Sequence, residues 1–287
     1  MQHEYSVKVT NRPSSPPASD AMIVIESGAR QSCPSIRSFS VKKHLSILAV
    51  VFAILLAPGC LVAQKQVVHK PAAQPASRVS VYAPAERITN FDALKKQLRQ
   101  YHECTCACGC YAKDLDHQAN RAIAVLRARA AHRRPQEKLA LVLDIDETAL
   151  SNYEEMSKAG FAYDSAVFDA WIKSAKAPVI PGTLRLFQEA QRLNVSVFFI
   201  TGRSDAERDA TERNLREQGY QNWQQLYTRS PAQASEPMQV FKSSARAVIA
   251  AQGYRMVLNV GDQWSDDKGE PQAEFFIKYP DPYYFIP

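Results

Sequence analysis

The chain has 287 residues, 46% hydrophobic and 22% charged, which suits one full-size globular core with appendages. That balance excludes wholesale disorder, a collagen-like repeat and a polytopic membrane protein. The formal charge of +6 points first to nucleic acid or a membrane surface, but six bases against three acids precede Cys60, so half of the excess sits in a leader and the body is too weakly basic to argue for a nucleic-acid polymer.

Residues 1–40 are rich in Ser, Pro and Arg and are longer than an ordinary secretory n-region, so they form a doubtful leader; Val41 is the expected translation start. In 41–60, Lys42 and Lys43 precede an apolar run from Leu45 to Ala57, followed by Pro58, Gly59 and Cys60. At 1.5 Å rise such a run covers about 20 Å, short of the roughly 30 Å hydrocarbon core, and Pro58-Gly59 discourages its continuation. It therefore reads as a secretory signal. Small residues before Cys60 resemble the lipobox of bacterial lipoproteins, which implies an exported protein anchored by lipid in the periplasm or at the outer membrane. An uncleaved inner-membrane signal anchor running through Ala63 is the alternative. The Pro- and Ala-rich stretch 61–87 reads as a tether.

The folded domain is expected over 88–287. Ile88, Phe91, Leu94, Leu98 and Tyr101 recur at helical spacing behind Thr89 or Asn90 as the cap, and Leu115, Ala119, Ala122 and Leu126 predict a second helix. Leu139–Asp144 is an unbroken apolar run, as a strand buried on both faces requires. Further strands are predicted at 195–200, 226–228, 256–260 and 275–277, with helices over 183–193, 205–218 and 239–252 between them. Alternating strand and helix predicts an α/β fold: a doubly wound, Rossmann-like, mostly parallel sheet with helices on both faces.

Ligands of such sheets lie beyond the carboxyl ends of the strands. Those ends carry Asp144-Ile145-Asp146, then Thr201-Gly202-Arg203, then Gly261-Asp262 with Asp266 and Asp267 behind. Strand alternation puts two aspartates one residue apart on the same side. Their repulsion is relieved most simply by a hard divalent cation, and a third carboxylate from Asp262 makes an oxygen site suited to Mg²⁺. One aspartate can then attack phosphorus while the other exchanges a proton with the leaving alcohol and with water. Thr201, the Gly202 amide and Lys242, near a helix start, would hold the phosphoryl group. Each piece alone has an ordinary reading as a cap, turn or solvated lysine; the ordered set at strand ends outweighs it.

The segments LVLDIDETALSNY, VFFITGR and FKSSARAVIAAQGYRMVLNVGDQWSDD resemble motifs one to four of the haloacid dehalogenase superfamily. Within it they are similar to subfamily IIIB, the branch of bacterial class C lipoprotein acid phosphatases and plant vegetative storage proteins. The resemblance implies Asp144 as the nucleophile that becomes an aspartyl-phosphate, and Asp146 as general acid/base with its backbone carbonyl on Mg²⁺. It implies Asp262 and Asp266 as the remaining metal ligands, Asp266 directly or through water, and Thr201, Gly202 and Lys242 as the phosphate site. Storage members commonly lack the nucleophile, which Asp144 retains here.

Residues 151–179, with Tyr153, Phe161, Phe168 and Trp171, are too few for a large cap and predict a small helical insertion over an open site. Cys104, Cys106, Cys108 and Cys110 depart from the family; they read as disulfides, within the loop or between chains, in an exported protein, and a thiolate Zn or Cu(I) cluster is the alternative, disfavoured because His102 and His117 are the only histidines nearby. The expected function is a Mg²⁺-dependent acid phosphatase for small phosphomonoesters such as nucleoside monophosphates. The alternative is a non-catalytic surface or storage protein on the same fold. The expected partners are the phosphomonoester, the membrane through the anchor and, as an open alternative, a second copy of the chain.

Overall fold

The computed structural model describes residues 88–106 and 110–286; the leader, signal segment and tether expected over 1–87 lie outside them, as does Cys108. Two helices come first, α1 (Phe91–His102) and α2 (Cys110–Ala131). The sheet and its crossovers follow as β1 (Lys138–Leu143), α3 (Tyr153–Lys158), α4 (Ser165–Ser174), α5 (Pro181–Arg192), β2 (Ser196–Ser204), α6 (Arg208–Glu217), β3 (Gln225–Arg229), α7 (Met238–Ala251), β4 (Tyr254–Gly261) and β5 (Phe276–Lys278).

All five strands are parallel, in the order β3-β2-β1-β4-β5. The central strand β1 is therefore buried on both faces, which is why its sequence is apolar without alternation. Leu139, Leu141 and Leu143 face one core with Leu126 of α2, Leu186 of α5 and Leu215 of α6. Ala140 and Val142 face the other with Phe241, Ala245 and Ile249 of α7. Helices thus cover both faces, and the doubly wound α/β sheet expected from the sequence is the fold observed.

The insertion is two short helices. Asp164 caps α4, its Oδ1 accepting from the amides of Ala166 at 2.9 Å and Val167 at 3.1 Å. Two expectations change in detail. The helix foreseen over 205–218 opens as a 3₁₀ turn at Asp205–Glu207, where the Ser204 amide and hydroxyl both donate to the Glu207 carboxylate, and only then becomes α6. Asn90 does cap α1, but that helix has no buried residue: Ile88, Phe91 and Leu94 are exposed, so its apolar period does not mark a core face among the described residues. Tyr101, at its end, packs against the core.

Candidate active site

The carboxyl ends of β1, β2 and β4 converge on one rim. The Asp144 amide donates to the Val260 carbonyl at 3.0 Å, extending the β1–β4 ladder to the residue that bears the first carboxylate. Asp144, Asp262 and Asp266 are buried, and each can place an oxygen within 4.8 Å of the other two. Gly261, the last residue of β4, is required by this crowding: a Cβ there would collide with the Asp266 carboxylate. Lys242, in the first turns of α7 and also buried, donates to Asp144 Oδ1 at 2.6 Å and to Asp266 Oδ1.

Asp146 turns away from this trio. Its Oδ1 accepts from Arg203 Nη2 at 2.7 Å and Nε at 3.1 Å and from Asn152 Nδ2 at 2.8 Å, while Oδ2 accepts from Thr201 Oγ1 at 3.3 Å. The two carboxylates of the Asp144-Ile145-Asp146 pair therefore have different surroundings, one beside a lysine and two acids, the other in a guanidinium fork. Thr201 is fully buried, and Gly202 passes close under Met238, whose terminal methyl occupies the space a Cβ would need. Glu147 holds a left-handed backbone at φ 53°, and its carboxylate accepts from the Asn152 amide at 2.6 Å and from Asn152 Nδ2 at 2.9 Å. Trp171 of α4 donates to Asn152 Oδ1 at 2.9 Å, tying the insertion to the same network.

These surroundings set the charges. Burial pushes the Asp144 carboxyl up, with Lys242 opposing and Asp266 adding to the rise. Burial likewise raises Asp262, followed by the charges of Asp144 and Asp266. Glu147 is pushed up to about 8, by burial and then by Asp146. Burial alone would raise Asp146 too, but the Arg203 charge and hydrogen bonds outweigh it and hold that carboxyl below its usual range. Lys242 stays charged because Asp144 and Asp266 outweigh its burial.

The raised groups make stability depend on pH. Asp144, Asp262 and Glu147 bind protons more tightly folded than unfolded, so their contribution is fully present below the unfolded values near 4 and is lost as pH rises through the folded ones. Asp146, shifted down, instead stabilises the fold above the unfolded value near 4 and loses that contribution only as pH falls further. After EDTA treatment the protein should melt at a higher temperature at about pH 5.5 than at about pH 8, by several degrees. Calorimetry on EDTA-treated protein reads this directly; a melting temperature that rises toward pH 8 would contradict it.

A cavity of about 660 Å³ leads to the rim, with Asp144, Asp146, Lys242 and Asp262 in its lining. Phe161 and Phe168 of the insertion line it, as do Tyr283 and Tyr284 near the end of the chain. The aromatics foreseen in the insertion thus divide: Tyr153 instead stacks on His102 with ring centroids 3.4 Å apart, and Trp171 is buried. The described cysteines Cys104, Cys106 and Cys110 are not part of the lining. Cys104, Cys106 and Cys110 bring their sulfurs within 4.8 Å of one another, and Cys106 is disulfide-bonded.

The structure brings Asp144, Asp146, Thr201, Gly202, Lys242, Asp262 and Asp266 together at the carboxyl ends of the strands. Four that matter were not assigned roles: Arg203, Asn152, Gln263 and Asp281. For Arg203 the signal was present, since strand alternation puts it on the same side as Thr201. No helix among the described residues is long and apolar enough to cross a membrane.

A five-stranded parallel sheet with helices on both faces, and with aspartates, a threonine and a lysine gathered at the carboxyl ends of its strands, places the chain among the doubly wound α/β proteins. The chain belongs to the HAD superfamily, subfamily IIIB (acid phosphatase), whose sequence profile matches residues 64–287. It is 35% identical over 148 residues to acid phosphatase 1 of Solanum lycopersicum, covering 50% of this chain and 58% of that protein. It is 35% identical over 154 residues to the stem 28 kDa glycoprotein of Glycine max, covering 52% and 61%. The match thus spans little more than half the length of these curated relatives. Among solved structures, the fold resembles the class C acid phosphatase from Bacillus anthracis with tungstate bound, with a TM-score of 0.55, 24% identity, and 67% of this chain and 86% of that one covered.

Proposed function

We propose that the protein is a Mg²⁺-dependent acid phosphatase that hydrolyses small phosphomonoesters, nucleoside monophosphates among them, through an aspartyl-phosphate on Asp144. The observation that carries this reading is the buried cluster of Asp144, Asp262 and Asp266 bridged by Lys242 at a cavity, with Asp146 held separately beside it.

The donor set fits the cation. Asp144, Asp262 and Asp266 offer hard carboxylate oxygens, and once ionised they leave a negative excess against Lys242. Asp144, Asp262 and Asp266 would hold Mg²⁺, with the Asp146 backbone carbonyl. When bound, the ion neutralises this excess and polarises the phosphoryl group.

The protein's own groups then divide the work. An Asp144 oxygen attacks phosphorus as the ester oxygen departs, and Asp146 gives that oxygen a proton. Asp146 next takes a proton from water, which attacks the aspartyl-phosphate, releases phosphate and restores Asp144. Lys242, Thr201 and the Gly202 amide hold the transferring oxygens. Because Arg203 keeps Asp146 ionised at rest, the proton it must donate is loaded more readily at acid pH, which suits an acid phosphatase.

The leader and Cys60 support export and lipid anchoring outside the cytoplasm. A non-catalytic storage or surface role is disfavoured by the cost of burying so many charges in a scaffold that has no use for them. The test is turnover of p-nitrophenyl phosphate before and after EDTA. Activity should fall to background and return with Mg²⁺; turnover indifferent to chelation would refute the proposal.

A further inference from the structure

We propose that Gln263 is a positioning residue that fixes the Asp262 carboxylate and, through the same amide, docks segment 280–286 as a wall of the cavity. The inference rests on the phosphatase reading for its cation, and on geometry alone for the docking.

Gln263 is buried directly after Asp262, and its side chain is fully used. Nε2 donates to Asp262 Oδ2 at 2.7 Å and to Asp281 Oδ2 at 2.7 Å, while Oε1 accepts from the Ile286 amide at 3.0 Å. Its backbone amide donates to Asp266 Oδ2 at 2.9 Å. One residue therefore touches two carboxylates of the proposed cation site and both ends of a segment 18 and 23 residues onward. Asp281 Oδ1 in turn accepts from the Tyr283 amide at 2.9 Å, turning the chain so that Tyr283, Tyr284, Phe285 and Ile286 line the cavity.

Only a primary amide meets all of these demands. Two carboxylates need two donors and the Ile286 amide needs an acceptor; glutamate would set a third carboxylate against the first two, and lysine or arginine offers no acceptor. Asparagine is one methylene shorter. Left without Gln263, Asp262 loses the donor that orients its outer oxygen, and Asp281 and the Ile286 amide lose their tie to β4. Such outer partners of a metal ligand govern affinity even though they do not touch the ion.

The experiment uses the full chain with Gln263→Ala and, as the shape-preserving control, Gln263→Glu. Three quantities are read: Mg²⁺ affinity of EDTA-stripped protein by calorimetry, KM and kcat for p-nitrophenyl phosphate, and the rate of chymotrypsin cleavage at Tyr283, Tyr284 and Phe285. Both variants are expected to bind Mg²⁺ about 10- to 100-fold more weakly. They should also raise KM and be cut several-fold faster in this segment, with circular dichroism unchanged. Should Gln263→Ala fail to fold, Gln263→Glu carries the same expectations. Affinity within about twofold of wild type together with an unchanged cleavage rate would overturn the inference. Failure of the phosphatase reading looks different: wild type itself would show no turnover and no Mg²⁺ binding, while the cleavage comparison would still decide the docking.

Discussion

Replacing Asp144 by Asn is expected to remove turnover of p-nitrophenyl phosphate, a loss on the order of 10⁴-fold or more in kcat, without unfolding the protein. The substitution is nearly isosteric. The amide Oδ1 still accepts from Lys242, and one of the mutually repelling buried carboxylates disappears, so the core around β1 and β4 should be at least as stable as before without metal. What is lost is the proposed nucleophile, because an amide oxygen does not form a stable ester with phosphorus under these conditions. Turnover measured beside circular dichroism and thermal melting separates the two effects. A variant that keeps more than a trace of activity would show that another group attacks phosphorus.

The second large effect is expected at Arg203. Its side chain is only 2% exposed, and its guanidinium grips Asp146 through Nη2 and Nε while Nη1 donates to Thr211 Oγ1 at 3.2 Å. Arg203→Met leaves the Asp146 carboxylate with Asn152 and Thr201 alone, in a site that has excluded most water. Breaking a buried pair in this way costs about 3–5 kcal/mol. Without the fork, the proton-transfer group is also poorly aimed, and kcat should fall by roughly 10²- to 10⁴-fold. The pH profile carries the sign. Freed of Arg203, the Asp146 carboxyl rises, so it remains protonated and able to donate at higher pH, and the alkaline limb of kcat should move upward. Arg203→Lys keeps the charge and loses the two-pronged geometry, so it should restore stability better than rate. A Met variant with wild-type kcat and an unmoved pH limb would remove Arg203 from the chemistry.

Much of the site was legible because strand ends are legible. Asp144, Thr201 and Asp262 each follow an apolar run, and the rule that parallel sheets present ligands at their carboxyl edge joins residues far apart in the chain. Lys242 could be placed because the helix that bears it precedes the strand leading to Asp262. The supporting residues were harder to see, because their meaning lies in partners that sequence does not bring together. Arg203 meets Asp146 across 57 positions and Trp171 meets Asn152 across 19, and neither contact follows from a period or a spacing. The segment 280–286 has no repeat or motif, yet it walls the cavity through one amide of Gln263. Helix α1 shows the opposite case: a regular apolar period at Ile88, Phe91 and Leu94 whose residues are not buried, because periodicity reports a helix and its apolar face, not what covers it.

The covalent intermediate is the most direct test of the mechanism. Wild-type protein and Asp146→Asn, mixed with p-nitrophenyl phosphate and Mg²⁺ and quenched in acid, should both show a phosphoryl adduct on the peptide containing Asp144. The adduct should accumulate in the variant, because p-nitrophenolate departs without a donated proton while the step that activates water lacks Asp146. Asp144→Asn should show none. Steady turnover with no adduct at Asp144, or an adduct mapped to a different side chain, would contradict Asp144 as the nucleophile.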